Sequence, residues 1–134
     1  MKDNLQEYST KAVNGTIDSN RELLIKDAIF IRDKGCLTKI KFAEIHYLKG
    51  DGNYTTLVTG TKSFSLRNIL KEFEEVLPDH LFIRIHKSYI VNLNEINTIS
   101  PKEVTVVNDK VPVGRTYYQN LINGVQKLGS SGLD

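Results

Sequence analysis

The chain has 134 residues, of which 40% are hydrophobic and 25% charged, and a formal net charge of +2. This length fits one domain of ordinary soluble composition, and no apolar run reaches the roughly 20 residues that a membrane helix needs. The single cysteine, Cys36, excludes an intrachain disulfide, and the polar first residues lack the apolar core of a secretory signal. A cytoplasmic location without membrane attachment is therefore expected, and nucleic-acid binding would require the positive charge to lie on one face.

The sequence divides into a leader, a folded domain and a tail. Residues 1–22 show no sustained hydrophobic period and are interpreted as a flexible leader or the remnant of an interdomain linker, too short to hold a receiver domain. Residues 23–129 are expected to form one domain, and residues 130–134 a disordered tail. Within the domain, short apolar runs between turn signals predict strands. These runs are Ala28–Arg32, Leu37–Phe42, Glu44–Leu48, Asn53–Thr59, Lys62–Leu66, Leu81–Ile85, Ser88–Asn92, Ile96–Ile99, Val104–Asn108 and Lys110–Val113.

Two segments have the apolar spacing of helices. Arg67–Leu77 is expected to be capped by Ser65 and stopped by Pro78. Its apolar stripe consists of Ile69, Leu70, Phe73, Val76 and Leu77. Thr116 and Gln119 have the spacing of a capping box for the second helix. The apolar positions of that helix are Tyr118, Leu121, Ile122, Val125 and Leu128. Because neither helix alternates with strands as βαβ units require, the sequence predicts a mainly β fold with antiparallel sheets and two short helices.

The residue types of common enzyme sites occur without the required patterns. The histidines, His46, His80 and His86, form no pair at metal-ligand spacing, and nothing near Cys36 in sequence would lower the pKa of its thiol. No glycine-rich phosphate loop is present. No enzymatic activity, cofactor or metal is therefore expected.

The run from Leu81 to Asn92 is the most informative segment. Strand alternation directs Ile83 and Ile85 to the core and puts Phe82, Arg84 and His86 on the opposite side. The polar residues Lys87, Ser88 and Tyr89 then interrupt the apolar pattern. Such donors on a rigid scaffold are what a phosphate-contacting loop needs. A polar turn with a packed histidine and a snorkelling arginine is the alternative.

A second candidate is the stretch from Val111 to Tyr118. Gly114 precedes a predicted helix start, where exposed amides favour anions, and Arg115 stands at that corner. The arginine side chain has the fork geometry that reads a guanine edge. The alternative is a surface arginine in a strand-to-helix turn.

Three segments resemble the LytTR family of DNA-binding domains. They are Ile45–Thr55, the run FIRIHKSYIVNLNEI from Phe82 to Ile96, and VPVGRTYYQNL from Val111 to Leu121. The resemblance covers about Leu24 to Leu128. It implies an elongated β fold of stacked antiparallel sheets whose loops, rather than a recognition helix, enter successive major grooves of double-stranded DNA.

The resemblance also implies roles for individual residues and for partners. The base-reading positions that it implies are Asn53, Tyr54 or Thr55, together with Lys87 and Arg115. The positions that it implies for phosphate contact or loop support are Arg84, His86, Ser88 and Tyr117. The expected function is transcriptional regulation as the output domain of a two-component response regulator, with a homodimer bound to repeated half-sites. A β-rich protein- or peptide-binding module is the alternative, which the low net charge supports.

Overall fold

The computed structural model describes residues 24–129, so the expectations for the leader and the tail lie outside the described residues. This part of the chain is mainly β, as the sequence predicts. Its strands are β1 (Ala28–Asp33), β2 (Cys36–Lys41), β3 (Ile45–Asp51), β4 (Tyr54–Thr59), β5 (Ser63–Leu66), β6 (Phe82–His86), β7 (Tyr89–Asn92), β8 (Ile96–Ile99), β9 (Glu103–Val106) and β10 (Asp109–Pro112). The helices are α1 (Leu70–Val76) and α2 (Arg115–Asn123), and short 3-10 turns span Phe42–Glu44 and Leu93–Glu95.

The strands form three antiparallel sheets. The central sheet has five strands in the order β5–β4–β3–β7–β6, while β1 pairs with β2 and the third sheet has the order β10–β9–β8. Each strand pairs with a neighbour through an antiparallel register. The prediction of antiparallel sheets with two helices is therefore confirmed.

The central sheet is packed on both faces. On one face, Leu48, Leu57 and Ile90 share a core with residues of β1, β2 and α1. On the other face, Ile85 and Val91 share a second core with residues of β9, β10 and α2. The sheets are thus stacked in layers, which is the arrangement that buries both faces of a central sheet. Among the described residues, no helix is long and apolar enough to cross a membrane.

The two-sided packing corrects the expected environment of β6. Ile85 is fully buried, as predicted, whereas Ile83 is only half-buried. Phe82 lies on the opposite face, as expected, yet it is also buried because that face packs into the first core. The register with β7 shifts between Arg84 and His86, so the alternation of strand faces is interrupted there.

The first helix begins later than predicted. Ser65 lies in β5 and caps nothing, while Ile69 is the residue before the helix and its amide donates to Glu72 Oε1 over 2.9 Å. Glu72 therefore satisfies the helix start from inside the first turn. The apolar stripe is also narrower than expected, because Ile69 and Val76 are exposed.

The second helix begins directly after Gly114, so the predicted capping box does not form. Thr116 lies inside the first turn rather than at the cap, and Gln119 donates its side-chain amide to Asn123. The helix ends before Gly124. Leu128, expected on the apolar stripe, lies beyond the helix and is fully exposed.

Tyr47 connects the central sheet to the three-stranded sheet. Its hydroxyl donates to Asp109 Oδ2 over 2.9 Å. Burial, followed by the hydrogen bond and the negative charge of Asp109, raises the pKa of Tyr47 to about 12. The phenol therefore remains a hydrogen-bond donor across the neutral pH range.

Ile85→Ala is predicted to lower the free energy of unfolding by roughly 2–5 kcal/mol, because it removes packing and leaves a cavity in the second core. Ile83→Ala is the matched control and should cost less, since Ile83 is only half-buried. Urea unfolding of both variants measures the difference. Equal losses would contradict the burial pattern of β6.

Candidate nucleic-acid interface

The β3–β4 turn projects from one end of the central sheet. Gly52 and Asn53 form a two-residue turn beyond the paired residues Asp51 and Tyr54. Gly52 has a φ of +63°, a backbone conformation that favours glycine at such a position. The turn is tighter than predicted, because Gly50 and Asp51 belong to β3. Asn53 and Tyr54 are exposed at or beside its tip.

Thr55 does not belong to this exposed tip. It was expected as one possible base-reading residue, but its side chain is fully buried and its Oγ1 donates to the carbonyl oxygen of Asn68 over 2.7 Å. A buried hydroxyl that is already bonded cannot reach a base edge, so a reading role for Thr55 is wrong. Asn53 and Tyr54 remain as the predicted positions in this hairpin.

The β6–β7 turn lies beside the first turn. Lys87 and Ser88 form the turn beyond the paired residues His86 and Tyr89, and Lys87 is exposed. His86 Nδ1 accepts a hydrogen bond from the Ser88 amide over 3.0 Å, and the His86 ring packs edge-on against Tyr89 with centroids 5.5 Å apart. His86 and Ser88 thus stabilise the turn that presents Lys87.

Arg84 also stabilises this turn. Its Nε donates to the carbonyl oxygen of His86 over 3.1 Å, and its Nη2 donates to the carbonyl oxygen of Lys87. Its Nη1 forms an ion pair with Glu74 of α1 at 2.9 Å. Because all three nitrogens have protein partners, the geometry favours loop support over phosphate contact for Arg84.

The start of α2 packs against the same turn. The Gly114 amide donates to the carbonyl oxygen of Ile85 over 2.7 Å. A Cβ atom at Gly114 would lie 2.9 Å from Tyr117 Cδ2 and 3.6 Å from His86 Cα, so a larger residue would displace the tyrosine ring. Tyr117 is half-buried in this position. Arg115, the first residue of α2, is exposed next to the β6–β7 turn.

Two backbone hydrogen bonds join these segments into one row. Besides the bond from Gly114 to Ile85, the Gly50 amide donates to the carbonyl oxygen of Ser88 over 2.8 Å. The β3–β4 turn, the β6–β7 turn and the start of α2 therefore lie side by side at one end of the central sheet. The three segments singled out in the sequence meet in the structure.

The row presents cations that the protein itself does not neutralise. Within residues 24–129, the side chains of Lys87 and Arg115 take part in no hydrogen bond or ion pair. The carboxylate of Glu74 is bound by Arg84. Exposed, unpaired cations on turns of a rigid sheet are suited to contact a polyanion.

Sequence reasoning missed two further exposed cations at this end, Lys49 and Arg67. Lys49 is paired with Tyr89 across the central sheet, and Arg67 directly follows Leu66, which is paired with Thr55. The location of these two cations at this end of the sheet depends on the register between strands, and no local sequence pattern indicates that register.

A family model described as the LytTr DNA-binding domain matches residues 35–125. The chain belongs to the LytTR family of DNA-binding domains. The family match contains all three segments of the row, so the resemblance to the LytTR family is confirmed. Strand β1 precedes the matched range.

The chain is also similar to curated proteins that are named as regulators. The chain is 32% identical to the sensory transduction protein LytT of Bacillus subtilis over 84 residues, which are 58% of this chain and 35% of LytT. It is 32% identical to the transcriptional regulatory protein YpdB of Escherichia coli K12 over 96 residues, which are 72% of this chain and 36% of YpdB. The chain thus spans about a third of the length of these curated relatives.

The fold also matches a solved structure of a LytTR domain. The LytTr DNA-binding domain of a methyl-accepting/DNA response regulator from Bacillus cereus superposes with a TM-score of 0.65 at 27% sequence identity. The superposition covers 74% of this chain and 96% of the solved chain. The layered β architecture is therefore that of a LytTR domain.

Gly114→Ala is predicted to lower the free energy of unfolding by about 1–3 kcal/mol and to weaken DNA binding, because the new Cβ displaces the Tyr117 ring and shifts Arg115. Gly124→Ala is the control, since a Cβ there meets Leu121 O at an ordinary 3.5 Å. Urea unfolding and duplex titration measure both effects.

Gly114→Ala in the Tyr117→Ala background tests the cause of the loss. Removal of the ring should relieve the clash, so that Gly114→Ala costs less stability in this background than in the wild type. Identical costs in the two backgrounds would show that Tyr117 does not explain the need for glycine.

Proposed function

We propose that this LytTR domain binds double-stranded DNA sequence-specifically through the row of turns at the end of its central sheet. The observation that carries the proposal is the pair of exposed, unpaired cations, Lys87 and Arg115, held next to each other by the bond from Gly114 to Ile85. DNA neutralises such cations with phosphate oxygens and with the acceptors of guanine.

We propose a different contact for each member of the row. Arg115 carries a planar fork that fits guanine O6 and N7, and it stands at a helix start whose amides favour a nearby phosphate. Lys87 can donate to a guanine or to a phosphate. The β3–β4 hairpin presents Asn53 and Tyr54 on a two-stranded ribbon, an element that a major groove about 12 Å wide admits.

The remaining site residues position these contacts. Arg84, His86 and Ser88 fix the backbone of the Lys87 turn through the hydrogen bonds described above, and Tyr117 packs over Gly114. A turn held in its bound conformation loses less conformational entropy when it binds. We therefore propose that these four side chains act mainly by supporting the loops.

We further propose that the domain regulates transcription as the output domain of a two-component response regulator in the cytoplasm. The names of the relatives LytT and YpdB, a sensory transduction protein and a transcriptional regulatory protein, support this role. Each domain presents one row of turns, which can contact one half-site. We therefore propose that two copies of the domain bind a repeated site as a homodimer. No enzymatic activity and no cofactor are proposed.

A groove elsewhere on the domain favours the second candidate, a protein- or peptide-binding module. It has a volume of about 770 Å³ and lies between β1 and the segment from β5 to α1. Its apolar lining includes Phe30, Phe73 and Val76, of which Phe30 and Val76 are exposed. Both β1 and β5 are edge strands of their sheets. An extended peptide could pair with such an edge.

Selection of duplexes from a random pool separates the two candidates. DNA binding predicts enrichment of a repeated half-site and an affinity that falls steeply with salt, because Lys and Arg side chains displace condensed counterions. Absence of enrichment together with a log–log salt slope near zero would contradict DNA binding and favour the peptide-binding module.

Arg115→Ala is predicted to cost about 1–3 kcal/mol of binding free energy on the selected duplex and much less on a scrambled duplex, because a bidentate base contact is lost. Lys62→Ala is the control, since Lys62 lies in the β4–β5 turn at the opposite end of the central sheet. Titration of each variant with both duplexes measures the difference. Equal losses on the two duplexes would make Arg115 a phosphate contact.

A further inference from the structure

We infer that Arg67, on a fourth segment of the domain, is a further DNA contact and binds a backbone phosphate beside the bases that the β3–β4 hairpin reads. This inference rests on the proposed DNA binding and extends its surface to the loop between β5 and α1. The sequence resemblance assigned no role to this loop. The support comes from strand register, from the hydrogen bonds of the loop and from the charge that it presents.

The strand register places Arg67 next to the hairpin. Strand β5 pairs with β4 so that Leu66 lies opposite Thr55 and Ser65 opposite Thr56. One further step in this antiparallel register brings Arg67 level with the exposed Tyr54. Pairing ends at Leu66, and neighbouring strands lie about 4.8 Å apart, so Arg67 leaves the sheet beside the hairpin.

The backbone on the C-terminal side of Arg67 is fixed by two hydrogen bonds. The buried Thr55 hydroxyl donates to the carbonyl oxygen of Asn68 over 2.7 Å. The amide of Ile69 donates to Glu72 Oε1 over 2.9 Å. Thr55, which cannot read bases, therefore holds the loop that presents Arg67.

The guanidinium of Arg67 is not bound by other side chains of the described residues. It is exposed, and among the side chains of residues 24–129 none forms a hydrogen bond or ion pair with it. Arg84 is the opposite case, because its nitrogens bind two carbonyl oxygens and Glu74. An arginine that needs no protein partner retains its full charge for a ligand.

The position of Arg67 favours a phosphate over a base. The tip of the hairpin at Asn53 extends one residue, about 3.3 Å, beyond the level of Tyr54 and Arg67. When that tip enters the major groove, Arg67 remains at the wall of the groove, where the phosphate backbone runs. The order of strands then places the contacts in a row from Arg115 through Lys87 and Asn53 to Arg67.

Arg67→Gln in the full chain tests this contact. We expect the affinity of this variant for DNA to fall about fivefold at 0.15 M salt, because one counterion fewer is released on binding. The fall should be equal on the selected and the scrambled duplex. The log–log salt slope should become shallower by about one unit. Arg67→Lys should retain most of the affinity, because it keeps the charge.

Lys62→Gln is the matched control, since it removes one positive charge at the opposite end of the β4–β5 pair. If both glutamine variants bind with the same affinity and slope, the contact at Arg67 is overturned while DNA binding itself stands. If Arg67→Gln weakens only the selected duplex, Arg67 reads a base and the phosphate contact is likewise overturned. If the wild-type chain binds neither duplex, both the proposed function and this inference fail.

Neutral methylphosphonate linkages locate the contact on the DNA. Placed one at a time along the selected duplex, they should weaken wild-type binding at several positions. One linkage flanking the bases read by the hairpin should weaken the wild type but not Arg67→Gln. The neutral linkage and the substitution remove the same ion pair, so their effects on affinity should not add. Additive losses at every linkage would overturn the contact. Thermal unfolding of Arg67→Gln should match that of the wild type, since the side chain has no protein partner.

Discussion

The amide of Gly114 donates to the carbonyl oxygen of Ile85 over 2.7 Å, and this bond determines where the second helix begins. The contact requires a residue without a side chain, because Tyr117 occupies the space that a Cβ would need. The bond from Gly50 to Ser88 joins the neighbouring hairpin in the same way. Three turns that are far apart in the chain thereby form one surface.

The two cores make that surface rigid. Both faces of the central sheet are packed, with Leu48 and Ile90 in one core and Ile85 and Val91 in the other. A strand buried on both sides cannot slide or rotate without opening a cavity. The turn that presents Lys87 therefore keeps its position relative to the start of α2. This arrangement separates the residues proposed to contact DNA from those, such as Arg84, that hold the turns in place.

The sequence was sufficient for the local elements and for the family. Alternating runs identified the strands, and the burial of Ile85 followed from its strand. The burial of Thr55 could not be predicted, because it depends on a hydrogen bond to the carbonyl oxygen of Asn68. That residue lies in the loop after β5. Phe82 was predicted on the side opposite the core, and a single strand does not show that a second layer covers that side. Arg67 became visible only through the register of β4 with β5.

An NMR titration of the isotopically labelled chain with the selected duplex tests the central claim most directly. We predict that the largest amide shifts cluster at residues 52–54, 86–88 and 114–117, with a further shift at Arg67. The β4–β5 turn around Gly60 and strand β1 around Phe30, which lines the groove opposite the segment of Arg67, should change little. Largest shifts at that turn or in β1, with the three clusters unchanged, would contradict DNA binding through the row of turns.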